Sequence, residues 1–335
     1  MSEPRKKWTT TLNLSKNEIS EQTKKSMKTR VITSIVIAIL FVPAVFLGGW
    51  YFIALIFLVS AIAAFEFVRA TKLTKRYWFL YILVGLFTLL FTFWFFIKRN
   101  LSMTTHAFYE LQHWDITNAF QTVEISTMLL VFTLILLFSF LIMDQNFNFE
   151  IASYLFLLIL FIGIGMQSFL FMRFFPSKYQ SNPALSSFLL IYIVLGTFAN
   201  DVGAYFVGVL YGKTKMSPTI SPNKTWEGFV GGILTSFIVS FLFALISSLA
   251  GAPILPSLAH DKWYWLVLLS LLMPLFATVG DLFFSATKRH LKIKDYGSIV
   301  VGHGGVLDRI DSLILVSLVT SMLVILIENS WSLLA

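Results

Sequence analysis

The 335-residue chain has no cysteine, and only 13% of its residues are Asp, Glu, Lys or Arg. The first absence removes disulfides and thiolate-bound metal, so a metal ion would have to be held by oxygen or imidazole. The second excludes an ordinary soluble domain, in which about a quarter of the residues are charged. What takes their place is apolar: 57% of the residues are hydrophobic. This composition indicates an integral membrane protein, with helices packed against one another and against lipid around one bundle. The expected fold is an all-α polytopic membrane protein of about nine transmembrane helices with a cytosol-facing polar site.

Acidic residues are fewer than basic ones, 17 against 25, for a net charge of +8. The basic residues are scattered through short loops and form no continuous groove, so the excess reports membrane topology and no nucleic acid is expected as a partner. Residues 1–30 hold eight Lys/Arg and no apolar run, and read as a cytosolic basic arm rather than a signal peptide. Residues 31–65 carry no charge. As one helix they would be about 52 Å long against a hydrocarbon core of about 30 Å, so two spans are expected, turning at Gly48, Gly49 and Trp50. Further apolar runs at 77–97, 125–143, 151–172, 185–211, 229–250, 263–284 and 312–334 bring the expected number to nine.

Assigning alternate loops to opposite sides puts 20 Lys/Arg with the N-terminus and five across from it. The N-terminus is therefore expected inside, with loops 212–228 and 286–309 on the same face, where they can meet. The chain divides into the arm 1–30, N-terminal transmembrane helices 31–184 and a C-terminal catalytic transmembrane region 185–335. The loop 98–124 carries His106, Glu110, His113 and Asp115, but their spacing matches no ligand motif and they read as a solvated surface.

Ionisable residues within spans cost roughly 2.5–3.5 kcal/mol each at the centre, which makes them functional candidates. Asp201 and Asp281 lie toward the cytosolic ends of their spans, while Glu66 and Glu328 read as side chains that reach the interface. Asn200 and Asp201 share a small-residue face with Tyr205 and Gly208. After them, Pro222 is expected to end regular structure, and Lys224 and Thr225 offer an ammonium and a hydroxyl beside a helix N-terminus, a setting that suits phosphate. The order of Gly and Lys is not that of a P-loop. Asp281, Ser285 and Lys288 fall at i, i+4 and i+7 on one helix face. Asp308 and Asp311 open the last span, and carboxylates arriving from two helix ends form a hard oxygen site of the kind Mg2+ uses, although a salt-bridge network would use the same residues. Between them, Arg289, Lys294, Asp295, His303, Gly304, Gly305 and Arg309 make a charged, glycine-rich stretch suited to a polyphosphate held by a cation.

The segment from Ser285 to Asp311 resembles the signature of the phosphatidate cytidylyltransferases, also called CDP-diacylglycerol synthases. Ser285, Lys288, Arg289, Lys294, Asp295, Gly297, His303, Gly304, Gly305, Asp308, Arg309 and Asp311 stand at that family's spacing. Asn200-Asp201 with Ala204-Tyr205, and Ile220-Ser221-Pro222 leading to Lys224-Thr225-Trp226-Glu227-Gly228, are similar to further family segments. Phe284 and Val301 depart from the pattern, standing where an acidic residue and a proline are usual, and Val209 stands where an Arg is common.

The resemblance implies transfer of the cytidylyl group from CTP to phosphatidic acid, giving CDP-diacylglycerol and pyrophosphate. It implies that Asp281 and Asp308 hold Mg2+, with a second cation such as K+ nearby. Lys224, Lys288, Arg289 and Lys294 would neutralise phosphates and Ser285 would contact phosphate or metal. His303 would either donate to the leaving pyrophosphate or orient its loop. Asn200, Asp201, Thr225, Asp295, Gly304, Gly305, Arg309 and Asp311 would line the substrates. The expected setting is the bacterial inner membrane, with membrane lipid and a homodimeric copy as candidate partners. A CTP-dependent lipid kinase or a CDP-lipid synthase for another lipid would share much of this site. A secondary transporter would place its polar groups near the midplane and show an internal repeat.

Overall fold

A computed structural model describes residues 21–72, 78–102, 116–143, 147–299 and 304–328. Among them are nine helices: α1 (Glu21–Leu47), α2 (Gly49–Ala70), α3 (Trp78–Ser102), α4 (Ile116–Met143), α5 (Phe149–Phe174), α6 (Phe188–Tyr211), α7 (Trp226–Leu249), α8 (Trp263–His290) and α9 (Leu307–Glu328). Six helical stretches are long and apolar enough to cross a membrane, namely Gly49–Ala70, Phe149–Lys178, Leu185–Tyr211, Trp226–Leu249, His260–His290 and Leu307–Glu328. The described apolar parts of α1, α3 and α4 are shorter. The protein is thus a mostly helical, polytopic membrane protein.

The long uncharged run breaks where its glycines lie. Gly48 and Gly49 both take positive φ, 64° and 51°, a conformation that a side chain disfavours, and α2 starts there. The turn is fastened from the far end of α5. Arg173, 2% exposed, donates from Nε to the Val45 carbonyl at 2.6 Å, from Nη1 to Ser186 Oγ at 2.9 Å and from Nη2 to the Pro183 carbonyl at 3.1 Å. A side chain at Gly48 would collide with this guanidinium. Arg173→Leu would remove the donor of the buried Val45 carbonyl, at about 1–3 kcal/mol where no water replaces it, while the Pro183 carbonyl keeps the Ser186 hydroxyl at 3.0 Å. The expected result is a clearly lower thermal midpoint in detergent, read by a thermal-shift assay.

Small residues set the spacing of the helices around the polar end. Gly228, Gly231 and Gly232 of α7 press on Ala204, Val207 and Asn200 of α6, and a Cβ at Gly232 would lie 2.7 Å from Asn200 Oδ1. Gly280 of α8 admits the second turn of α9, since a Cβ there would meet the Asp311 carbonyl at 3.1 Å. Deeper in the bundle, Tyr192 of α6 and Ser270 of α8 share a buried hydrogen bond of 2.7 Å, and Ser321 of α9 donates to Ser168 of α5.

Two expectations are corrected. Between α6 and α7 the chain forms a two-stranded antiparallel hairpin, β1 (Lys215–Ser217) and β2 (Ser221–Thr225), so the fold is not purely α. Pro222 lies within β2 rather than ending regular structure, which a two-stranded ribbon tolerates because it has only edges. Of the basic arm 1–30, residues 1–20 lie outside the described residues and 21–30 form the start of α1; the 106–115 cluster (His106, Glu110, His113 and Asp115) also lies outside them.

Candidate active site

The charged groups collect where α2, α6 and α8 end and α7 and α9 begin. In β2 and α7, Thr225 caps the helix by accepting from the Gly228 amide at 3.1 Å. Glu227 turns back to accept from the Lys213 and Thr214 amides, closing the hairpin onto the helix. With its base fixed in this way, Lys224 reaches α8, and its Nζ lies 2.8 Å from Asp281 Oδ2. The other oxygen of Asp281 accepts from Ser285 Oγ, one turn on, at 3.2 Å. Asp281 is within Coulombic range of Asp201 on α6 and Asp311 on α9, so three carboxylates from three helices share one neighbourhood.

Asp308 holds the second half of the site together. Its Oδ1 takes Lys288 Nζ at 2.8 Å, while its Oδ2 accepts from the Tyr296 amide at 2.9 Å and the Gly305 amide at 3.0 Å. Lys288 also lies over the Tyr296 ring, 5.6 Å from its centroid. Burial pushes the Tyr296 phenol well above its ordinary pKa, so it stays a hydrogen-bond donor, directed at the Phe284 carbonyl. Gly304 has a φ of 87°, which places it in the left-handed region open to glycine. Arg289 donates to the Ile220 carbonyl at 3.2 Å, tying the end of α8 to the hairpin.

The residues expected from sequence therefore converge from three separate segments. Asp281, Ser285, Lys224 and Thr225 form one group and Asp308, Lys288, Gly304 and Gly305 another. Asp311 is buried and accepts from the Ser312 amide at 2.7 Å. Asn200 is buried and Asp201 is exposed on α6. Lys294, Asp295 and Arg309 are exposed at the rim. His303 and Val301 lie outside the described residues. Phe284 faces away from this chemistry, buried edge-on against Tyr296.

Glu66 was not legible as a site neighbour. The expectation that it reaches the interface is wrong: it is 1% exposed and accepts from the Val306 and Leu307 amides. A lone carboxylate at the end of an apolar span, 240 residues from its partners, gives no local signal in sequence. Glu328 behaves differently, accepting from Tyr179 and Ser257 at the opposite end of the bundle.

For a divalent cation the donor set is all oxygen. Among the described residues no three His, Cys, Asp or Glu are grouped as a metal site. Asp281 and Asp308 nevertheless each already bind a cation, the ammonium of Lys224 and of Lys288. An apolar cavity of about 370 Å3 lies elsewhere, lined by Phe188, Phe243 and Ile246 where α6 starts and α7 ends. It offers nothing to hold a phosphate.

Known proteins match the chain along most of its length. Residues 28–327 match the Cytidylyltransferase family. The phosphatidate cytidylyltransferase of Bacillus subtilis (strain 168) is 33% identical over 294 residues, covering 87% of this chain and 94% of that protein. The phosphatidate cytidylyltransferase of Staphylococcus epidermidis (strain ATCC 12228) is 30% identical over 301 residues, covering 89% and 99%. The polar end of the bundle and these matches lead to one conclusion: the chain belongs to the cytidylyltransferase family.

Proposed function

We propose that this protein is an enzyme that transfers the cytidylyl group of CTP to phosphatidic acid, forming CDP-diacylglycerol and pyrophosphate in phospholipid biosynthesis. A phosphate oxygen of the lipid forms the new bond to the α-phosphorus, and the α–β bridging bond breaks to release pyrophosphate. The nucleophile is already an oxyanion at neutral pH, so the task is positioning and charge neutralisation. The observation that carries this reading is the convergence of Lys224–Asp281 and Lys288–Asp308 at one end of the bundle.

Asp281 and Asp308 would hold Mg2+, with a second cation such as K+ beside it. When bound, the divalent ion neutralises phosphate charge and favours the leaving pyrophosphate. Lys224 and Lys288 would then exchange a carboxylate partner for a phosphate one. Ser285 keeps Asp281 oriented, and Arg289, Lys294 and Arg309 supply positive charge at the rim. Basic residues dominate the site end, among them Arg69, Lys72, Lys213, Lys215, Lys224, Lys288 and Arg289, which supports a cytosolic site; nine crossings of a bacterial cell membrane are the topology proposed with it. Residues 185–335 would carry the catalytic groups, and a homodimer is the oligomer to look for.

Purified protein with Mg2+, labelled CTP and phosphatidic acid is expected to release pyrophosphate and form CDP-diacylglycerol. A folded preparation that makes no product with any of several acyl chains would refute the assignment. Chelating divalent cations is expected to reduce the rate to background, and adding Mg2+ back to restore it.

A further inference from the structure

We infer that Glu66 is a positioning residue of the active site, a carboxylate supplied by α2 that clamps the glycine loop and the start of α9. The inference rests on the proposed transferase reading for its kinetic consequence, but its geometry is independent of that reading. Oε1 accepts from the Val306 amide at 3.1 Å and Oε2 from the Leu307 amide at 3.0 Å. The preceding amide, Gly305, goes to Asp308 Oδ2 at 3.0 Å. Three successive amides at the start of α9 thus end on two carboxylates, one from outside the helix and one from its own first turn. The unpaired amides and the positive end of the helix dipole stabilise a buried negative charge there.

Two glycines of the loop are fitted to this side chain. A Cβ at Gly297 would collide with the Glu66 carboxylate, and one at Gly305 would lie 2.5 Å from Oε2. Neither glycine has a positive φ, so the close approach of Glu66 is what requires them to be bare. Because Glu66 and Asp308 hold neighbouring amides, releasing the first loosens the frame that presents the second and, through it, Lys288.

Glu66→Gln keeps the shape but can accept only one of the two amides and removes the charge. It is expected to lower kcat about 30-fold, the size of a lost charge-assisted hydrogen bond. KM for phosphatidic acid should be unchanged and Glu66→Asp should recover part of the rate. Gly297→Ala, which drives a methyl into the carboxylate, is expected to give the same phenotype with Glu66 intact. A readout that needs no turnover is also available, since the native chain has no cysteine. With Val306→Cys as the sole thiol, maleimide labelling in detergent should be about tenfold faster in the Glu66→Gln background, as expected for a segment released from local protection. Glu66→Gln activity within twofold of wild type, or unchanged labelling, would overturn the clamp. A wild-type protein that makes no CDP-diacylglycerol would instead overturn the proposed function, while the labelling comparison would still decide the clamp.

Discussion

Asp281→Asn is expected to reduce CDP-diacylglycerol formation about 1000-fold or more, while the protein purifies and melts like wild type. The size follows from removing a charge that organises the reacting phosphates, an effect that usually exceeds any single binding contact. The selectivity follows from the geometry. Among the described residues the Asp281 carboxylate is held by Lys224 Nζ and Ser285 Oγ, both side chains. The amide of Asn is isosteric and keeps an acceptor for Ser285, so folding has little to lose. A steady-state assay of pyrophosphate release, paired with a thermal-shift curve, separates the two effects. Retained turnover in a folded variant would remove Asp281 from the catalytic set.

Asp308→Asn is expected to abolish activity as well, but with a lower thermal midpoint. This carboxylate holds the Tyr296 and Gly305 amides in addition to Lys288, and its side chain is 4% exposed. Removing its charge strands a buried lysine, and breaking such a pair costs about 3–5 kcal/mol. A second substitution distinguishes structure from chemistry. Asp308→Asn/Lys288→Met should regain much of the thermal midpoint, because no unpaired charge remains, and should stay inactive. If the double variant melts as low as the single one, the stranded ammonium is not the cause.

Much of this arrangement was readable from local patterns. The break at Gly48 and Gly49 follows from a run too long for one span, and the α-helices among the described residues fall where the apolar runs lie. Asp281, Ser285 and Lys288 share a face because helical spacing dictates it. The failures have a common physical origin, in that they depend on where distant segments meet. Pro222 looked like a terminator because a two-stranded ribbon, all edge, is not visible in composition. Glu66 looked like an interfacial side chain because its two partners are backbone amides, which carry no residue-type signal at all. Asp308 reads from sequence as a metal ligand or a member of a salt-bridge network, and its hold on the Tyr296 and Gly305 amides is not visible there because backbone amides carry no residue type.

The fastening of Gly48 by Arg173 bears on how the chain is made. The carbonyl of Val45, at the turn between α1 and α2, finds its buried donor on α5, 128 residues later. During synthesis the turn between α1 and α2 therefore lacks these partners until α5 and the residues up to Ser186 have been delivered. The opening hairpin is completed late, by the part of the protein that directly precedes the site-bearing helices.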